Sequence, residues 1–151
     1  MNGGTRIEEI LDYAIEKEQE AVDFYTKMAD RVSSSAMKAV FKQFAGEERG
    51  HKAKLQGVKG GKNKLTVSGK VPNMALGDYL VAEDAGPDIS YQDALILAMK
   101  REKASYRLYT DLAKEVQVPE IRELLLALAQ EEARHKLRFE VEYDENILKE
   151  N

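Results

Sequence analysis

Apolar residues recur every three or four positions in four long stretches of the chain, the spacing of a helix with one buried face. In the first stretch that face carries Ile7, Ile10, Leu11, Ala14, Ala21, Val22, Tyr25, Ala29 and Val32. Thr5 with Glu8 reads as a capping box at its start. Ser33, Ser34 and Ser35 punctuate the chain and offer N-caps for a second helix bearing Met37, Val40, Phe41, Phe44 and Leu55. A third pattern, Leu95, Ala98, Tyr109, Leu112 and Val116, follows Ser90 as a cap. Pro119 suits the first turn of a fourth, whose stripe is Ile121, Leu124, Leu125, Leu128 and Phe139.

The breaks near 33–35 and 116–119 allow only antiparallel neighbours, so the helices pair as two hairpins. Between the hairpins lies a segment at about 57–89 with Gly60, Gly61, Gly69, Pro72, Gly86 and Pro87, and a short helix is expected within Met74–Glu83. An up-down-up-down bundle needs no such crossover, whereas two hairpins joined by one long connection are the ferritin-like version of a four-helix bundle. The expected fold is therefore all-α, a single domain over 1–151.

Composition narrows the chemistry. The net charge is −4 and a third of the 151 residues are charged, which gives no nucleic-acid surface. Lys54, Lys59, Lys62, Lys64 and Lys70 read as a solvated run in the Gly-rich connection. There is no cysteine, so thiolate catalysis, disulfides and Cys-ligated metals are excluded within the chain. No apolar stretch approaches membrane-spanning length and the start lacks an apolar signal core; the expectation is a soluble, cytoplasmic protein.

The two halves repeat. Shifted by 84 residues, Leu11, Ala14, Glu18, Tyr25, Thr26, Ala29 and Val32 fall on Leu95, Ala98, Glu102, Tyr109, Thr110, Ala113 and Val116. Farther on, Ala45, Glu47, Glu48, His51 and Lys52 fall on Ala129, Glu131, Glu132, His135 and Lys136. Shared leucines are common to amphipathic helices; shared histidines are not, and these are the only two in the chain. An internal duplication with halves of about 5–56 and 90–148 follows, and with it a pseudo-twofold relation.

Glu18 and Glu102 interrupt the apolar stripes of the first and third helices. Glu48 with His51, and Glu132 with His135, continue the stripes of the second and fourth, where residues three apart share a side. Helix phase turns Glu47 and Glu131 off the core. Four carboxylates in one core are costly to desolvate and repel one another. No lysine or arginine shares their stripes. Two divalent cations balance four carboxylates, and the neutral imidazoles add ligands without charge. A set of carboxylates with one imidazole per ion suits iron or manganese, with zinc able to substitute. One glutamate from each of two helices plus a Glu-x-x-His from each of the others is the general layout of di-iron and di-manganese bundles.

The stretches "AIEKEQEAVDFY" (14–25) and "AMKREKASYRLY" (98–109), with "GEERGH" and "QEEARH", resemble the metal-binding helices of rubrerythrin-like diiron proteins. The resemblance covers about 11–55 and 95–139. It implies a ferritin-like bundle holding two iron ions on Glu18, Glu48, His51, Glu102, Glu132 and His135, with Glu48 and Glu132 bridging. Tyr25 and Tyr109 are candidates to orient these ligands, or are ordinary core aromatics. Rubrerythrin proper has a further glutamate where this chain has Ser105, a position associated with peroxide reduction, and a Cys-ligated domain that is absent here. The implied activity is that of a non-haem diiron oxidoreductase acting on hydrogen peroxide or O2, with electrons from a separate donor protein. A ferroxidase or iron-binding protein without reductive turnover is the alternative, and a structural bundle with zinc or a vestigial site is a third. A homodimer, including one exchanging its long crossover, is compatible with the pattern.

Overall fold

The computed structural model describes residues 5–61, 69–72, 74–82 and 86–148. The chain divides into two compact units, Met1–Leu76 and Gly77–Asn151, each built on one helical hairpin. Unit 1 contains α1 (Ile7–Arg31) and α2 (Ser35–Gly60), together with two short strands, β1 (Thr5–Arg6) and β2 (Lys70–Val71). Unit 2 contains α3 (Tyr91–Glu115) and α4 (Pro119–Tyr143), which continues as a π-helical turn over Asp144–Leu148. Each unit contains one half of the repeat, and the division at Leu76–Gly77 falls inside the connection between the halves.

Local sequence accounts for most helix ends. Ser34 caps α2 by accepting from the Met37 amide at 3.2 Å. Ser90 caps α3 by accepting from the Asp93 amide at 3.1 Å, and Pro119 opens α4, where its missing N–H leaves no donor unpaired. The hairpin turns are closed by a device the repeat copies. Lys38 donates back to the Ala29 carbonyl at the end of α1, and Arg122, 84 positions on, donates to the Val116 and Gln117 carbonyls beyond α3. Each cation satisfies carbonyls that the ending helix leaves without an intrahelical partner.

The start of α1 differs from the expected Thr5–Glu8 box. Arg6 is the N-cap and its amide donates to Glu9. Thr5 is instead drawn into β1: it pairs with Val71, and its hydroxyl donates to the Met74 carbonyl at 2.8 Å. The Ile7 amide donates to the Gly69 carbonyl at 2.8 Å. Gly69 has a φ of 122°, in the left-handed region where a side chain would be strained. A tertiary partner thereby overrides a local cap.

The connection is also more structured than its composition implies. Helix α2 runs past the expected boundary to Gly60, so Lys54 and Lys59 lie on a helix, and Lys59 pairs with Asp12 of α1. Lys62 and Lys64 lie outside the described residues. The expected helix at 74–83 is a single 3₁₀ turn, Leu76–Tyr79, and Glu83 lies outside the described residues. Tyr79 is buried beneath Arg107 of α3 and donates to Asp111 at 2.7 Å. At the other end of unit 2 the Tyr91 hydroxyl donates to the buried Glu142 at 2.6 Å, linking the start of α3 to the end of α4.

Most of the predicted apolar stripe is core. Ala21, Val32, Val40 and Leu124 are half-buried rather than buried, and Phe24 and Met28, which the stripe omitted, are buried. In unit 1 the centre of the hairpin is aromatic: Tyr25 meets Phe24 and Phe41 in tilted contacts and Phe44 edge-on, at 5.7–6.3 Å between ring centroids.

Candidate metal centre

Each unit buries one Glu–Glu–His triad. In unit 1, Glu18 comes from the middle of α1, and Glu48 and His51 from one side of α2. In unit 2, Glu102 comes from α3, and Glu132 and His135 from α4. All six are at most 2% exposed, a burial charged residues rarely reach unless they are paired or bind metal.

The geometry repeats as well. The His51 Nδ1 lies 2.9 Å from Glu48 Oε1 and 3.4 Å from Glu18 Oε2. The His135 Nδ1 lies 3.1 Å from Glu102 Oε2 and 3.7 Å from Glu132 Oε1. In both units the same ring nitrogen faces both carboxylates. The ligand atoms of each triad lie within 4.8 Å of one another. Ligands bound at about 2.1 Å to one ion stand roughly 3–3.5 Å apart, so the donors are already spaced as coordination requires. The six predicted ligands, and no others among the described residues, make up the groups of carboxylates and histidines close enough to hold a metal ion.

Charge explains what holds the unit 1 triad together without a cation. Burial alone would lower the pKa of His51. Hydrogen bonds to Glu18 and Glu48, with the charges of both, outweigh it and raise the pKa to about 11. Metal-free His51 is thus an imidazolium held between two carboxylates. A cation beside Nδ1 must displace that proton, so metal and proton compete for the same nitrogen. The triad therefore fits a divalent cation that accepts oxygen ligands with one imidazole; the donor chemistry suits iron or manganese.

The remaining sequence candidates fall into place unevenly. Tyr25 and Tyr109 are both buried, at 2% and 1% exposure, two turns along from Glu18 and Glu102. Tyr25 sits within the aromatic cluster already described. Glu47 and Glu131 are half-buried rather than fully solvated, and Glu47 accepts from Gln43 at 2.8 Å. Ser105 is half-buried on α3.

The sequence profile of the rubrerythrin family matches residues 9–143, which takes in both triads and all four long helices. The chain belongs to the rubrerythrin family. Two solved structures are similar to this rubrerythrin-family chain over most of its length. One, from Thermotoga maritima, is assigned to the ferritin-like diiron-carboxylate proteins; it aligns with a TM-score of 0.85 at 21% identity, covering 96% of this chain and 99% of that one. The other, a hypothetical protein from Pyrococcus furiosus, aligns with a TM-score of 0.69 at 26% identity, covering 91% of this chain and 88% of that one. A comparison with curated proteins finds no match. The fold is accordingly all-α, of the ferritin-like four-helix-bundle class. No helix among the described residues is long and apolar enough to cross a membrane.

Proposed function

We propose that this chain is a non-haem diiron oxidoreductase that binds two iron ions per chain and reacts with hydrogen peroxide or O2, using electrons from a separate donor protein in the cytoplasm. The observation that carries the reading is the duplicated, buried Glu–Glu–His triad in a member of the rubrerythrin family. Glu18, Glu48, His51, Glu102, Glu132 and His135 are the proposed ligands, with Glu48 and Glu132 in the bridging role the family resemblance implies. Manganese or zinc could occupy the same donors.

When bound, the iron pair supplies the two electrons that, with two protons, convert hydrogen peroxide to two waters. The chain's own part is to hold the donors and exclude solvent. In the metal-free chain the two carboxylates hold each imidazole with its Nδ1 toward the place a cation would take. Burial keeps bulk water from the carboxylates and sustains their pull on a cation. Tyr25 and Tyr109 are proposed to orient the ligands on their own helices.

A second reading, a ferroxidase or iron-binding protein without reductive turnover, is favoured by Ser105 and by the absence of any cysteine to relay electrons. One experiment separates the two. The chain is loaded with iron, its metal-to-chain ratio is measured, and it is reduced and mixed with peroxide while the ferric absorbance is followed. The oxidoreductase reading expects two irons and rapid reoxidation over repeated cycles with a reductant. Two irons without fast reoxidation favour iron handling, and less than one metal per chain removes both readings.

A further inference from the structure

The outward face of α4 is unusually apolar. Leu126 is 43% exposed, Leu137 58% and Val141 40%. Spaced eleven and four residues apart, they form one narrow stripe opposite the buried face. The internal repeat supplies a control for whether the fold requires it. Their counterparts on α2, 84 positions earlier, are Lys42, Ala53 and Gly57, all exposed. The same helix in the same hairpin therefore forms without the stripe.

The face of α2 is unusual in the opposite sense. Gly46, Gly50, Ala53 and Gly57 lie along its outward side, all exposed. Glycine inside a helix is destabilising relative to alanine. Among the described residues nothing requires glycine here, since a Cβ added at Gly46, Gly50 or Gly57 would meet no atom within 4 Å. Such a surface lets another backbone or bulky side chain approach closely.

Charge decides between partners for the α4 stripe. Among the described residues its exposed flanks carry Glu123, Asp144 and Glu145 against one exposed cation, Arg134, with Arg138 partly exposed. A second α4 would therefore place like charges together. The exposed flanks of the α2 face carry Lys42, Arg49 and Lys54. We infer that the Leu126–Leu137–Val141 stripe of α4 docks on the Gly46–Gly50–Gly57 face of α2 in a second copy of this chain. The contact is heterologous: an apolar ridge in one half of the duplication meets a shallow, basic-edged trough in the other. It gives self-association of the chain a definite pair of surfaces and does not depend on the metal proposal.

Light scattering on the full chain tests this, with helix content and metal-to-chain ratio checking that each variant stays folded. The unsubstituted chain is expected at twice 17.0 kDa or more, falling toward 17.0 kDa as salt is raised. Leu137→Glu and Gly50→Leu should each give the 17.0 kDa species. Mixed together they should re-associate, because Leu137→Glu keeps an intact α2 face and Gly50→Leu an intact α4 stripe. A 17.0 kDa unsubstituted chain overturns the inference. So does an assembly that survives Leu137→Glu. Loss with Leu137→Glu but not with Gly50→Leu, or failure of the mixture to re-associate, overturns α2 as the occupant.

Discussion

The two hairpins are copies of one plan, and they differ in layers. At the proposed ligand positions they are identical: Glu18, Glu48 and His51 in one, Glu102, Glu132 and His135 in the other. In the adjoining core they stay apolar but change character. Phe24, Phe41 and Phe44 surround Tyr25, whereas the equivalents around Tyr109 are Leu108, Leu125 and Leu128. At the open end of the hairpin unit 1 has Ile7 and Val58, and unit 2 has the hydrogen-bonded pair Tyr91 and Glu142. On the outside, Lys42, Ala53 and Gly57 of one half stand where the other has Leu126, Leu137 and Val141. Divergence thus grows with distance from the carboxylates. A buried charge tolerates few substitutes, a core tolerates any residue set that fills it, and a surface is limited mainly by what it touches.

The sharpest way to break the comparison is at the ligands. Glu48→Ala and Glu132→Ala should each abolish two-metal binding, and to the same extent, because the two triads are equivalent. Elemental analysis of iron-loaded protein reads this directly. Retention of two irons in either variant would show that the ligand assignment is wrong, and unequal losses would show that the halves are not equivalent.

Next in size is the core. Phe41→Ala should destabilise by about 3–5 kcal/mol and its counterpart Leu125→Ala by about 2–5 kcal/mol, both being fully buried. The aromatic cluster adds ring contacts to the area lost, so denaturant titration should place Phe41→Ala as the costlier change. If Leu125→Ala costs more, the phenylalanine cluster is not the better-packed half.

The hairpin locks come third. Lys38→Ala and Arg122→Ala each remove a cation from the carbonyls ending a helix, for about 1–2 kcal/mol. Arg122, which makes three such hydrogen bonds, should be the larger. Equal thermal shifts would mean that the extra donors contribute nothing.

The smallest effect lies at high pH. Burial, then hydrogen bonds to Asp111 and Glu142, raise the pKa values of Tyr79 and Tyr91 above the usual tyrosine range. The folded chain therefore favours the neutral phenols. Their contribution is complete below the unfolded value of about 10 and is lost as pH rises from there toward the folded pKa. Both residues belong to unit 2. The double variant Tyr79→Phe, Tyr91→Phe should flatten the alkaline fall in melting temperature; an unchanged fall would place its origin elsewhere.

Much of this was legible before any coordinates. A histidine supply spent entirely on two copies of Glu-x-x-His, in phase with an interrupting glutamate on each preceding helix, is a signal that periodicity and charge can read. The caps Ser34, Ser90 and Pro119 are local chemistry and were legible for the same reason. Less accessible was anything set by a distant partner. Thr5 looks like a cap until Val71 and Met74 are beside it. Phe24 and Met28 fall outside the narrow stripe, yet they are buried because the face covered is wider than three-and-four spacing marks.

The sequence by itself determined the four helices, the repeat and the six carboxylates and histidines set into the buried faces, because helical period and desolvated charge are properties of neighbouring residues. Only the tertiary structure decided which nitrogen of each histidine faces the carboxylates, and that His51 without metal stays protonated between Glu18 and Glu48. It also decided that leucines on α4 and glycines on α2 lie open to solvent. Those are facts about distance and exposure between residues far apart in the chain, and no spacing along it encodes them.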